Sequence, residues 1–100
     1  MSVRPYRVAA AANRDIGSHF EFIAADSFDA AVRFFDAFHE ACAKLAAMPG
    51  MGTRREFEHP ELADLRSWPI KGFQNFLIFY RIEGGFVRIV RVVHGAQAPG

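Results

Sequence analysis

"FLIFYRIEGGFVRIVRVVHG", residues 76–95, is the stretch that decides the fold. Two runs rich in β-branched and aromatic residues flank Gly84-Gly85, and a two-glycine connection between such runs is the signature of a β-hairpin. In the first run Phe76, Ile78, Tyr80 and Ile82 alternate with Leu77, Phe79 and Arg81. Both faces are apolar near Phe76 and become polar toward the glycines. The same hairpin carries Arg81, Arg88 and Arg91, with His94 at its exit. Cations on so apolar a pair of strands raise the question of what they face.

Upstream of the hairpin, "LRSWPI" at 65–70 reads as a short strand. Pro69 has no N–H for a sheet ladder, so this strand lies at an edge or ends there. "GMGTRREFEHPELAD", 50–64, has glycines, a proline and mixed charge, which suits an irregular surface loop. Before it, Ala31, Phe34, Phe38, Ala41, Leu45 and Met48 recur at steps of three and four, predicting a long amphipathic helix. Asp26 or Ser27 caps its start and Pro49-Gly50 closes it. A first helix, capped by Asn13, is predicted from Ile16, Phe20 and Ile23 on one face, weakened by Gly17. So short a break between two apolar-faced helices implies an antiparallel helical hairpin. "PYRVAA" at 5–10 supplies a first strand. The expected architecture is α+β: an N-terminal strand, the helical hairpin, then three antiparallel strands, with the helices packed on one face of the sheet.

The chain has 100 residues, of which 51% are apolar and 14% aromatic. Such a chain forms one domain, residues 1–100, burying roughly two thirds of its unfolded surface, and is neither disordered nor fibrous. A formal net charge of +1 argues against a strongly electrostatic nucleic-acid binder, and no direct sequence-specific nucleic-acid binding is expected. The charge is nonetheless uneven. Residues 13–48 carry Asp15, Glu21, Asp26, Asp29, Asp36 and Glu40 against Arg14, Arg33 and Lys44, whereas from Leu65 onward Arg66, Lys71, Arg81, Arg88 and Arg91 face Glu83 alone.

Cys42 is the single cysteine, so an internal disulfide or cysteine-based zinc site is excluded and a reducing cytoplasm is the natural compartment. Among Phe38, Ala41 and Leu45 it reads as a small buried hydrophobe. "VAAAAN" follows no apolar region, and no run approaches a membrane span, so neither export nor a membrane partner is expected. His59, between Glu58 and Glu61, lacks helical spacing, and no metal or other cofactor is expected. His19 and His39 lie on helix faces with no partner pattern and receive no role. The phenylalanines of the second helix, Phe28, Phe34, Phe35 and Phe38, more than fill one stripe, which implies either a sandwiched helix or a groove for another chain.

With these features in place, "YRVAAAANRDIGSHFEFIA", "LAAMPGMGTRRE", "LRSWPIKGFQNFLIFYRI" and "VRIVRVVHGAQ" together resemble, in order and over nearly the full length, the ParE branch of the RelE/ParE toxin superfamily. The resemblance implies the toxin of a type II toxin-antitoxin pair, neutralised by a small ParD-like antitoxin whose helical tail wraps it. It also implies action on DNA gyrase for ParE-like members, and ribosome-dependent cleavage of messenger RNA for RelE-like ones. Metal-free RNA cleavage needs a base, an acid and cations around the phosphorane. Arg54, Arg55, Glu56, Arg81 and His94 are the candidates for such a set. The RelE-like branch typically adds a tyrosine at the end of the last strand, where here Gly95, Ala96 and Gln97 follow His94; Tyr80 alternates with Phe76 and Ile78 instead. The set is incomplete, which favours the gyrase inhibitor. On that reading Arg81, Arg91 and His94 form the target-binding surface, against the plainer reading of solvated arginines and a backbone-satisfied histidine. Arg88, nearer the turn, reads as exposed. Phe28 and Phe35, with the sheet edge near Trp68, are the candidate antitoxin contacts, by a helix-in-groove mode.

Overall fold

The structure, a computed structural model, describes residues 6–57 and 64–95. Strand β1 (Tyr6–Val8) leads into helices α1 (Ala10–Ala24) and α2 (Phe28–Ala47). A 3-10 turn (Pro49–Met51) and strands β2 (Thr53–Arg54), β3 (Arg66–Ile70), β4 (Phe73–Glu83) and β5 (Phe86–His94) follow. The five strands form one sheet in the order β1-β5-β4-β3-β2. β1 runs parallel to β5 and every other pair is antiparallel. The expected α+β order holds, with one strand more: β2 lies within the stretch read as loop. Two residues, one of them charged, give no alternation by which to recognise a strand.

α2 forms where its apolar spacing predicts. Ser27 Oγ accepts the N–H of Ala30 at 3.1 Å, closing the first turn. Ala31, Phe34, Phe38, Ala41, Cys42, Leu45 and Ala46 are buried on one stripe. Each phenylalanine so buried contributes about 1.5–3 kcal/mol. Met48 departs from that stripe: it follows the last helical residue and is 59% exposed. α1 starts earlier than its sequence suggests. Its N-cap is Ala9, with no side-chain cap, and Asn13 lies inside the helix. The chain enters α1 directly from the sheet, where Ala9 donates its N–H to Ile89 O at 2.9 Å, so the sheet sets the entry that a capping side chain would otherwise set.

The core lies between the helical hairpin and one sheet face. Phe34 and Phe38 pack with Ile70, Phe76, Ile78, Tyr80, Val87, Ile89 and Val92, all of them buried. Gly84, with φ of 50°, turns β4 into β5 so that Glu83 pairs with Phe86. A register shift between Phe79 and Tyr80 leaves Val90 as the extra residue of β5, a bulge that adds local twist. β2 pairs only with Arg66 and Ser67, so Trp68–Ile70 lie beyond its reach, and Pro69 sits where its missing N–H breaks no bond to β2. Cys42 is buried, and burial pushes its thiol up to about 12.

Candidate interaction surfaces

Two side-chain clasps join the helical half of the chain to the sheet, and the candidate residues are arranged around them. The first fixes the turn after α2. The buried Tyr80 hydroxyl donates to Pro49 O at 2.6 Å and accepts the N–H of Gly52 at 2.8 Å. A Cβ on Gly52 would lie 2.7 Å from Tyr80 Cε1 and 2.9 Å from Ser67 O, so the backbone approaches this closely only as glycine. Arg66 Nη1 donates to Gly52 O at 3.0 Å from the other side. Burial raises the Tyr80 pKa, with the Gly52 N–H and the Arg66 charge opposing it.

From that fixed point the basic loop divides. Arg55 donates its backbone N–H to Leu65 O at 2.8 Å and its Nη1 to Ser67 Oγ at 3.2 Å, with the guanidinium over the Phe79 ring. Arg54 reaches Asp64 at 3.5 Å; both side chains are more than two-thirds exposed, and such a pair adds little stability. Glu56 is exposed. Glu58, His59 and Glu61 lie outside the described residues. Among the described residues no group of three His, Cys, Asp or Glu side chains has the arrangement to hold a metal ion.

The second clasp closes the edge of β5. β1 covers that edge only from Val87 to Ile89, and α1 covers the next open position, Val92. Asp15 Oδ2 accepts the Val92 N–H at 2.9 Å, and His19 Nε2 donates to Val92 O at 2.9 Å. The same carboxylate grips Arg91 through two bonds, Nε to Oδ2 at 2.7 Å and Nη2 to Oδ1 at 2.9 Å. Burial alone would raise the Asp15 pKa. The bonds from Arg91 and Val92, with the charges of Arg91 and His19, outweigh that and lower it. Arg91 is raised in turn by its bonds to Asp15. The His19 ring meets Phe76 edge-on at 4.9 Å between centroids, and His94 meets the same ring at 4.8 Å.

Register then places the candidates for target binding. Arg91 opposes Phe79 and Arg81 opposes Arg88, all on the sheet face without helices. His94 opposes Phe76, whose ring is in the core, so it belongs to the helix side at the exit of β5. Arg88, read from sequence as merely exposed, bonds Glu83 at 3.0 Å and lies over Phe86.

On the outer side of the helical hairpin Phe28, Val32 and Phe35 stay exposed at steps of four and three. Phe20 of α1 meets Phe28 and Phe35 edge-on. Beside them runs a shallow groove of about 370 Å³, lined by Ile16, Gly17, Phe20, Glu21 and Phe35. Nothing lies within 4 Å of where a Gly17 Cβ would be, so this glycine, which weakens α1, also keeps the groove floor open. Trp68 is half-buried on β3 beside Ala37, Ala41 and Lys44 of α2. Sequence reading missed Asp15, His19, Arg66 and the hydroxyl of Tyr80. Of these, only the Tyr80 and Gly52 pair left a trace, as a buried-strand tyrosine and a glycine after a helix stop.

A parallel β1 beside β5, an antiparallel continuation to β2 and a helical hairpin on one face define a small α+β fold. The family model for the ParE toxin of the type II toxin-antitoxin system parDE matches residues 6–99, and the chain belongs to that family. A solved structure described as the chromosomal ParDE TA system from P. aeruginosa superposes with a TM-score of 0.72 at 16% identity, over 92% of this chain and 96% of that one. Among curated proteins none matches.

Proposed function

We propose that this chain arrests growth by disabling DNA gyrase through protein contact, in the cytoplasm, and that a ParD-like antitoxin neutralises it. The observation carrying this reading is the match to the ParE family over residues 6–99. The geometry of the alternative catalytic set supports it. A metal-free ribonuclease needs its base, acid and cations around one phosphate. Here Arg55 and Arg81 belong to the helix-free face, Arg54 turns to Asp64, and His94 packs on Phe76 at the helix side. Tyr80, the tyrosine nearest the loop, is buried with its hydroxyl engaged at both Pro49 and Gly52.

Arg81, Arg91 and His94 are the proposed target contacts. Asp15 holds Arg91 in one orientation while its side chain remains 53% exposed, so little further ordering is needed when a partner docks. The antitoxin tail is assigned to the groove beside Phe28 and Phe35, by laying an amphipathic helix against exposed aromatics, with the free edge at Trp68 as its second anchor.

Pulse incorporation of DNA and protein precursors within minutes of inducing the chain alone tests the target. DNA synthesis stopping while translation continues is the expected result. Translation stopping first, with cleaved messages, replaces gyrase by the ribosome. The double substitution Arg91→Ala and His94→Ala should abolish arrest while the protein stays folded; full toxicity would remove those residues from the target surface.

A further inference from the structure

The aromatic groove on the helical hairpin has an acidic rim. Phe28, Val32 and Phe35 lie exposed along the outer side of α2, and the residues that follow them are Asp29, Arg33 and Asp36. Successive residues of a helix turn by about 100°, so these three charges run together along one flank of the apolar stripe. Glu21 lines the groove from the α1 side. Glu21, Asp29 and Asp36 are exposed, and among the described residues none of them is in an ion pair. Arg33, the cation between Asp29 and Asp36, is in none either. Three carboxylates thus stand around the groove with one guanidinium.

Helix electrostatics separates these carboxylates. Asp29 has a use within the fold, because it stands in the first turn of α2, where the helix dipole favours an anion. Glu21 has the reverse position. It belongs to the last turn of α1, where the dipole disfavours a carboxylate, and that turn holds no cation to offset it. Folding gains nothing from an anion there, yet it forms part of the wall of an apolar groove.

The rim decides among the occupants that such a groove could take. A phosphate backbone or an anionic lipid surface meets like charge there. A second copy laid hairpin to hairpin brings the same carboxylates together. A helix whose apolar stripe is flanked by lysine or arginine fills the groove and pairs the rim. The chain as a whole carries +1, so a cationic helix is drawn here by the local arrangement and not by net charge.

We infer that the segment seated in this groove is a cationic amphipathic helix, and that Glu21 and Asp36 select its charge. The inference rests on the proposed assignment of the groove to the antitoxin tail and adds the chemistry of that tail. The rings of Phe20 and Phe35 supply contact area, and Glu21 and Asp36, one on each helix, meet cations on the two flanks of the guest. Rim charges of this kind act on specificity, turning away helices of like charge whose apolar contact is the same.

Two labelled helical peptides of about 20 residues, long enough to hold a helix, test it. They share leucines at steps of three and four and differ only in their flanks, lysine in one and glutamate in the other. Fluorescence anisotropy with the purified chain at low salt should show the lysine peptide bound about ten-fold more tightly, two exposed ion pairs replacing two like-charge contacts. That preference should shrink as salt rises. Glu21→Gln with Asp36→Asn should bring the two peptides to similar affinity, and Glu21→Lys with Asp36→Lys should reverse the preference. Phe35→Ser should weaken both peptides alike. The reversal reads out a gain of binding by the glutamate peptide, which loss of fold cannot produce, and circular dichroism checks the fold of every variant. Equal affinity for the two peptides, a glutamate preference in the parent chain, or an unchanged preference in the folded reversal variant overturns the charge selection and leaves the groove to the antitoxin. Binding of neither peptide, or binding that Phe35→Ser leaves intact, overturns the groove assignment as well. Sedimentation of the chain alone as a dimer that Phe35→Ser dissociates also overturns the inference, by giving the groove to a second copy.

Discussion

The clasp at Tyr80 and the clasp at Asp15 do the same mechanical work with opposite chemistry. Each ties the helical half of the chain to the sheet, across 28 residues in one case and 77 in the other. The Tyr80 clasp is neutral and buried, with a single hydroxyl serving as donor and acceptor. The Asp15 clasp is ionic and lies at the surface, where one carboxylate binds a guanidinium and a strand N–H together. A neutral buried bond is indifferent to salt but intolerant of shape. An ionic surface bond tolerates some change of shape and depends on the solution around it. The loop that carries Arg54 and Arg55 is therefore set by packing, and the orientation of Arg91 by electrostatics.

Shape should break the first clasp hardest. Gly52→Val drives a branched side chain into the Tyr80 ring and Ser67 O, and overpacking of this kind costs about 3 kcal/mol or more. A fall in the denaturant midpoint without loss of Arg91 orientation would show that the two clasps act separately. Tyr80→Phe is milder, about 1–3 kcal/mol, because the Gly52 N–H loses its partner in a buried place. Asp15→Ala should cost about 2 kcal/mol, since it frees Arg91 and leaves the Val92 N–H without its acceptor. The loss should shrink in concentrated salt, whereas that of Tyr80→Phe should not.

Titration sharpens the contrast. The folded pKa of Asp15 is lowered, so its stabilisation is complete above the unfolded value of about 3.9 and fades as pH falls through the folded value. Asp15→Asn should therefore flatten the acid limb of a stability profile. The Tyr80 pKa is raised, so its contribution is complete below about 10 and fades as pH rises toward the folded value. Tyr80→Phe should flatten part of the alkaline limb only, because Tyr6 and Cys42 are raised as well. An acid limb unchanged in Asp15→Asn would mean that other carboxylates govern acid unfolding. The smallest change in stability should come from Phe35→Ser on the outer side of α2, about 1 kcal/mol, because the ring is only partly buried against Phe20. Isothermal titration with the antitoxin should nonetheless register weaker binding, and unchanged affinity would clear the groove of that role.

Element order was legible because α2 repeats its apolar residues at three and four, and β4 alternates around Phe76, Ile78 and Tyr80. Those periods come from local geometry, which a sequence records directly. The start of α1 was not legible, since Ala9 is fixed by a bond to Ile89, a residue far along the chain. The candidate surfaces divide the same way. Phe28 and Phe35 announce themselves as more phenylalanine than one stripe can bury. The bond of Asp15 to Arg91 and the facing of Arg81 and Arg88 are products of strand register, and register is set by the whole sheet.

The parallel pairing of β1 with β5 also bears on how the chain is made. Tyr6 pairs with Val87, Ala9 with Ile89, and Asp15 with Val92, so nearly the earliest residues wait for nearly the latest. Synthesis proceeds at about 5–20 residues per second, and contacts this distant close slowly even in a finished chain. While the ribosome is still building β4, the helical hairpin has emerged with its core stripe bare, because β5 does not yet exist. That interval is long enough for a chaperone or an antitoxin to meet the hairpin before any toxin has folded. A message cut short before Phe86 yields two helices on a sheet that lacks β5 and with it the partner of β1, so a native sheet certifies translation through β5.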